Sequence, residues 1–176
     1  MTDQVRIRVA RLADITAMQD VERDAGTLFA AIGMQDVADE DPAPFSVLER
    51  YVIDARAWVA EVSETVVGYA LVDVVDDTAH LEQLSVRPAF GRRGIGRTLV
   101  RTVAGWARER EFGTLTLRTF RDVPWNAPYY ASLGFQQLDD GEVGPGLRAL
   151  REHERELGLA VDARCAMRLE IETSSQ

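Results

Sequence analysis

The sequence predicts a mixed α/β (α+β) fold: a mostly antiparallel sheet of six to seven strands containing one parallel pair, flanked by four to five helices. Three observations carry this expectation. Residues 57–86 hold three consecutive apolar stretches separated by short polar breaks at Ser63–Thr65 and Asp76–Thr78, the pattern of an antiparallel meander. A long helical stripe then stands between strand patterns at 80–86 and 114–120, and a strand–helix–strand crossover makes those two strands parallel. A length of 176 residues suits one domain, with a core over about 5–171.

Each element has its own local reason. "VRIRV" alternates Val5, Ile7 and Val9 against Arg6 and Arg8, the period-two mark of a half-buried strand. Asp14 stands as an N-cap before Ile15, Met18, Glu22 and Ala25 at helical spacing. Residues 26–44, with two glycines, two prolines and an acidic run, are expected to be loop-rich. A second helix over Phe45 to Ile53 places Phe45, Leu48 and Val52 together. After the meander, a helix from about Gly94 to Glu111 carries Ile95, Leu99, Val103, Trp106 and Ala107 on one stripe, and Gly113 ends it. "TLTLRTF" is a strand, "NAPYYASLGF" a short helix closed by Gly134, and a sixth strand starts at Phe135. A helix over 146–157 turns Leu147, Leu150 and Leu157 inward. In "VDARCAMRLEI" alternation puts Cys165 on the face of Val161, Met167 and Leu169, as a small core hydrophobe rather than a reactive thiol.

Composition narrows the function classes. The net charge of −9 argues against general nucleic-acid binding, which needs a basic face. All twenty basic residues are arginine. Without lysine there is no Schiff-base chemistry, no pyridoxal-phosphate anchor and no Walker-type phosphate lysine. One cysteine rules out an internal disulfide, and two distant histidines, His80 and His153, make a histidine metal centre an unfavoured reading; no metal is expected. With no apolar run of membrane length and no leader-like apolar segment after Met1, a cytoplasmic protein without membrane partners is expected.

The stretch "FGRRGIGRTLV" sits where the long helix begins. Free backbone N–H groups and the positive dipole end make a helix start an anion site, and Gly94 and Gly96 keep side chains out of it. Arg92, Arg93 and Arg97 add charge suited to a pyrophosphate or a ribose phosphate. A dinucleotide fingerprint fails, because Gly94-Ile95-Gly96 lacks its third small residue and the unit comes fourth among the strands. The bland alternative is a tight turn followed by solvated arginines.

"EQLSVRPAFGRRGIGRTLV" resembles the acyl-CoA signature of the GNAT superfamily of N-acetyltransferases, R/Q-x-x-G-x-G/A after a V-x-P strand end. "NAPYYASLGF" is similar to that family's N-x-x-x-x-Y-x-x-x-G-F segment, and the likeness extends over most of the chain. Gly91 departs from the pattern, standing where the family has Gln or Arg. The resemblance implies that the parallel pair splays and that acetyl-CoA is the acyl donor. It implies cofactor contacts at Leu84, Ser85 and Val86 along the strand, at Arg92, Arg93, Gly94, Ile95, Gly96 and Arg97 around the helix start, and at Asn126. Capping of the short helix would equally explain Asn126.

The implied reaction is acetyl transfer to a primary amine of a small molecule or peptide by direct attack. A lysine-like ammonium is neutral only about once in 2,500 molecules at pH 7, so the reaction needs a base. Glu82, which alternation places on the face of Leu84 and Val86, is the candidate; a strand-end carboxylate paired with an arginine is the alternative. Tyr130 matches the family's general-acid tyrosine, four residues before Gly134, and Tyr129 is assigned to packing. Acidic residues in 22–52 and 137–160 can attract a cationic acceptor or merely solvate loops. A non-catalytic acyl-CoA-binding module on the same fold is the rival reading, and a homodimer is compatible with either.

Overall fold

The computed structural model describes residues 4–172. Left-handed backbone at two adjacent residues turns the chain sharply twice: Ser63 and Glu64 at φ 47° and 62°, Asp76 and Asp77 at 55° and 54°. These turns join β2 (Ala57–Val62), β3 (Thr65–Val75) and β4 (Thr78–Val86) into the expected meander. β1 (Arg6–Val9) pairs antiparallel with β2, from Arg6↔Glu61 to Val9↔Trp58. α4 (Ile95–Glu109) carries the chain over to β5 (Thr114–Phe120), which runs parallel to β4. β7 (Arg164–Glu170) pairs antiparallel along all of β5, and β6 (Gln136–Gln137) adds to β7. The seven strands follow the order β1-β2-β3-β4-β5-β7-β6.

Among the described residues there are six α-helices: α1 (Ile15–Ala30), α2 (Gln35–Ala38), α3 (Phe45–Ile53), α4, α5 (Ala127–Ser132) and α6 (Pro145–Glu156). The helix beyond expectation is α2, one turn within the stretch read as loop. α1 also runs five residues into that stretch, through Gly26 to Ala30.

The chain forms two compact units. One holds the described residues up to Val72 together with Gln83–Val103; the other holds Asp73–Glu82 and everything from Ala104 onward. In the first unit, Ile15, Met18 and Val21 of α1 pack with Leu48 and Tyr51 of α3 against Val59, Tyr69 and Leu71. Three expectations change here. Phe45 is exposed, and Tyr51 takes the core place assigned to it. Val9 is 46% exposed, while the Arg8 guanidinium beside it is half-buried, with 14% of the side chain exposed. Asp14 makes no cap bond to α1. Its carboxylate instead accepts from both terminal nitrogens of Arg8, at 2.7 and 2.9 Å, and from the Arg11 N–H at 2.7 Å. Arg8 Nε also donates to Glu61 Oε1 at 2.9 Å, so β1, β2 and the turn before α1 share one ion cluster.

In the second unit, Leu138, Val143 and Leu147 pack with Ala166, and Cys165 is buried, its thiol pushed up chiefly by that burial. Gly113 does not close α4. The left-handed residue is Glu111, at φ 62°, and the Phe112 and Glu111 N–H groups donate to Ala107 and Arg108 in a Schellman closure. α6 is anchored at its start by Asp76 of the β3–β4 turn, whose carboxylate accepts from the N–H of Gly146 at 2.6 Å and of Leu147 at 3.1 Å. Leu157, expected inside, is 64% exposed, because α6 ends at Glu156 before its stripe returns to the core.

The Arg8 cluster makes stability depend on pH. Hydrogen bonds from Arg8 hold the Asp14 and Glu61 carboxyls below the ordinary carboxylate range. Their stabilisation is therefore complete above pH of about 4 and is lost as the pH falls through the depressed values. Arg8→Ala leaves two carboxylates in poor solvent contact, and urea unfolding at pH 7 should show a loss of about 3 kcal/mol. The gap between variant and wild type should narrow as the pH falls toward 3.

Candidate functional site

In the first unit, β4 runs into a 3-10 turn at Pro88–Phe90, in which the Gly91 N–H donates to Pro88 O at 3.0 Å. Arg87 pins this strand end: its guanidinium reaches Asp24 of α1 at 2.9 Å and the carbonyl of Val66 at 3.2 Å. The chain then takes left-handed backbone at Arg92 (φ 60°) and Gly94 (φ 76°), and α4 begins at Ile95. A Cβ at Gly94 would meet nothing within 4 Å, so glycine serves its dihedral angle and leaves the turn open to an approaching group. The Gly94 carbonyl accepts from the N–H and hydroxyl of Thr98, at 3.0 and 2.9 Å. The N–H groups of Ile95, Gly96 and Arg97 lie in the first turn, where no carbonyl four residues back can take them. Arg92, Arg93 and Arg97 are all exposed, and Arg93 lies over the Phe90 ring. Ile95 is buried in the core, so only its backbone can face a ligand.

The strand residues differ from one another. Leu84 and Val86 are half-buried. Ser85 is buried, and its hydroxyl is engaged within the protein: Gln83 Nε2 donates to it at 2.8 Å, and it hydrogen-bonds the Tyr69 phenol. Tyr69, wholly buried, donates in turn to Glu22 Oε2 at 2.7 Å, and the Ala43 N–H reaches the same oxygen at 3.2 Å. This polar line from β4 to α1 was not read from the sequence, because its members lie up to 63 residues apart with no shared motif. Beneath it, Gly68 lets β3 approach closely: a Cβ there would sit 3.0 Å from Ser85 O and 3.3 Å from Val86 Cγ2.

The second unit carries Glu82, Tyr130 and Asn126. The Glu82 side chain is 42% exposed, yet its carboxyl is held above the usual range. The surrounding protein raises it first, and the carboxylates of Asp73 and Glu154 add to this, with Arg164 opposing. No arginine pairs with Glu82 among the described residues. The nearby guanidiniums are taken by Glu154: Arg118 donates to it at 2.9 and 3.1 Å, and Arg164 stands 3.4 Å away. His80, two residues before Glu82 on β4, is 2% exposed; its Nε2 lies 3.7 Å from Glu82 Oε2, and its Nδ1 lies 2.9 Å from Thr116 Oγ1. Sequence reading passed over His80 as a ligand or base, because nothing local marks its neighbours on β5.

Tyr130 is 7% exposed on α5, its ring edge-on to Tyr129 and Phe135 with centroids 5.6 Å apart in both pairs. Burial raises its phenol well above the ordinary value. Among the described residues its hydroxyl takes no hydrogen-bond partner. Asn126 does not cap α5 through its side chain; Nδ2 reaches only the preceding carbonyl at 3.3 Å, and Oδ1 is buried with no donor. A cavity of about 180 Å³ in this unit is lined by Thr78, Thr114 and Thr116, with Asp76, Glu142 and Arg168 contributing charge.

A model of the acetyltransferase (GNAT) family matches residues 20–135. Solved structures share the fold over nearly the whole chain. PaiA N-acetyltransferase from Thermoplasma acidophilum, in complex with coenzyme A, is 14% identical at a TM-score of 0.69, covering 95% of this chain and 99% of that one. The ribosomal-protein-S18-alanine N-acetyltransferase from Escherichia coli is 19% identical at 0.66, covering 98% and 97%. A Mycobacterium tuberculosis protein in complex with CoA and NLQ is 21% identical at 0.69, covering 95% and 99%.

The close approach at Gly68 yields a direct test. Gly68→Ala forces a methyl against the Ser85 carbonyl, which, being backbone, moves only if β4 moves. Chemical denaturation should show a loss of about 1–3 kcal/mol. The indole and tyrosine near-UV signals should remain native-like, because the displacement is local.

Proposed function

Because the chain belongs to the acetyltransferase (GNAT) family, we propose that it transfers an acetyl group from acetyl-CoA to a primary amine of a small molecule or peptide, by direct attack in a ternary complex. The whole chain is taken as one catalytic domain. The observation that carries the proposal is the open backbone turn at Gly94–Arg97. Its N–H groups are unspent and three exposed arginines surround it, directly following the strand that bears Glu82.

The residues present fit a CoA thioester. The helix start and Arg92, Arg93 and Arg97 suit the pyrophosphate and ribose phosphate, with Arg92 and Arg93 offsetting the side chain that Gly91 lacks. Leu84 and Val86 offer strand backbone to an amide-bearing arm. Ser85 joins only through its main chain, since its hydroxyl is committed to Gln83 and Tyr69. Asn126 Oδ1, buried without a donor, is an acceptor awaiting one. When bound, the thioester supplies an activated acyl group with a thiolate as leaving group.

Glu82 is assigned as the base. The deficit of neutral amine at pH 7 is nearly 5 kcal/mol for an alkyl ammonium and about 1 kcal/mol for an α-amine. A carboxyl held above its ordinary value is the better matched acceptor for either proton. Tyr130 is assigned as the acid, donating its phenolic proton to the departing sulfur. Burial raises the phenol and so keeps it in the protonated form that an acid requires.

Thermal stabilisation by acetyl-CoA, followed by thiol release with a panel of amines, tests the assignment. Stabilisation with turnover on at least one amine is expected; stabilisation without thiol release from any amine would make the chain a binding module. Gly96→Glu, which brings a side chain and a negative charge to the helix start, should abolish measurable acetyl-CoA binding in calorimetry. Arg97→Ala should weaken binding modestly and flatten its salt dependence.

The two tyrosines separate acid from packing. Tyr130→Phe keeps the ring contacts and removes the hydroxyl, so folding and acetyl-CoA affinity should hold while single-turnover acyl transfer slows by about 10²–10³. Tyr129→Phe should turn over at a near-normal rate. A slow Tyr129→Phe beside a fast Tyr130→Phe would reverse the assignment.

A further inference from the structure

His80 is a buried titratable group that the mechanism above leaves unused, and it touches the proposed base. It stands opposite Thr116 in the parallel register of β4 and β5, with Nδ1 2.9 Å from the threonine hydroxyl. Its other nitrogen faces Glu82 Oε2 at 3.7 Å, too far for a hydrogen bond and close enough for a strong electrostatic preference. Burial depresses the ring to about 4, so near neutrality it is uncharged and carries one proton on one nitrogen.

Two arrangements compete. In the first, Nδ1–H donates to Thr116, and the bare Nε2 lone pair faces a carboxylate oxygen, acceptor against acceptor. In the second, Thr116 donates to Nδ1, and Nε2–H faces the carboxylate, donor against acceptor. Both arrangements use the 2.9 Å contact; the first adds a long 3.4 Å bond from the Thr116 hydroxyl to Ala79 O, and the second gives that up for an Nε2–H turned toward the carboxylate. Arg118 and Arg164 both pair with Glu154, and neither forms an ion pair with Glu82.

Resting on the reading of Glu82 as base, we propose that His80 is its positioning residue: the facing carboxylate draws the Nε2–H tautomer of His80, the Thr116 hydroxyl supports it by donating to Nδ1, and the ring presents its N–H to Glu82. The device sets where the carboxylate lies and favours its ionised form without adding charge. Asp73 on β3 and Glu154 on α6, which face both groups, act in the opposite sense on Glu82. Asp76 and Arg118 also face His80, and Arg164 faces Glu82, so a titration must be read against all five. Glu82, with 42% of its side chain exposed, has the freedom to close the remaining gap.

Nitrogen-15 NMR of the ligand-free wild type reads the tautomer directly, whether or not the protein turns over an amine. A neutral Nε2–H ring at pH 6–8 is expected; an Nδ1–H ring or an imidazolium overturns the proposal. Carbon-13 NMR of the Glu82 carboxyl gives the second readout. Thr116→Val, which keeps the shape and removes the hydroxyl, should raise its titration midpoint by about 0.5–1 unit, and Thr116→Ser should restore it. An unchanged midpoint in a folded Thr116→Val protein also overturns the proposal. Should Thr116→Val not fold, the wild-type tautomer and the Thr116→Ser midpoint decide. Absence of acetyl transfer from every amine, together with an Nε2–H ring, would sink the acetyltransferase reading and leave the His80–Glu82 pairing standing.

Discussion

Parallel strands cannot be joined by a tight turn, and the pairing of β4 with β5 is the constraint on which the other elements depend. It requires a crossover, which α4 supplies, and the crossover requires a sharp entry after β4. Left-handed backbone at Arg92 and Gly94 makes that entry. A helix start whose first N–H groups have no partner four residues back is thus a by-product of sheet topology. The registered β4–β5 pairs run only from Ala79↔Leu115 to Leu81↔Leu117, and the rest of β4 must be held by other means. Arg87 ties its end to α1, Ser85 joins the polar line to Tyr69, and Gly68 admits the strand at close range.

The second unit solves a different problem, that of fixing an inserted helix. α6 is gripped by side chains at both ends: Asp76 receives the N–H groups of its first turn, and Glu154 in its last turn lies between Arg118 and Arg164. The Arg118 side chain is only 5% exposed and that of Glu154 15%, so the pair gains little over a well-packed apolar contact. What it provides is location. A carboxylate clamped there keeps Glu154 near Glu82 and His80, on both of which its charge acts. Between its grips, Ala149, Glu152 and His153 of α6 are exposed.

Local periodicity made most of this architecture legible. The meander turns, the α4 stripe of Ile95, Leu99, Val103, Trp106 and Ala107, and the inward Cys165 all follow from spacing along a few neighbouring residues, and all those side chains are buried. Spacing is blind to pairing at long range. Arg8 reads as the outward member of an alternating strand, and Glu61, 53 residues away, together with Asp14 explains why its guanidinium is half-buried. Asp14 has the right offset for a cap, but Arg8 and the Arg11 N–H claim its carboxylate. Gly113 looks like a helix stop, while the left-handed turn falls on Glu111, where hydrogen-bond closure and the stacking of Phe112 on Trp106 outweigh the steric cost. Of the candidate site, Glu82, Tyr130 and the turn at Gly94 were visible as residue types. The surroundings that give them character came only with the fold: Thr116 behind His80, Glu154 beside Glu82, and the unpartnered Asn126 Oδ1.

The ion pairs that organise both units rest on guanidinium groups: Arg8 at the sheet edge, Arg87 at the end of β4, Arg118 and Arg164 around α6. A guanidinium stays protonated throughout the physiological range and its nitrogens are not nucleophilic. With arginine at all twenty basic positions, the chain has no ε-amine to offer an activated acyl group. Its structural cations are chemically mute toward a thioester that would slowly acylate lysines in their place. A protein handling such a reagent could therefore keep its own charge pattern, and the folding energy stored in those pairs, intact through long exposure to it.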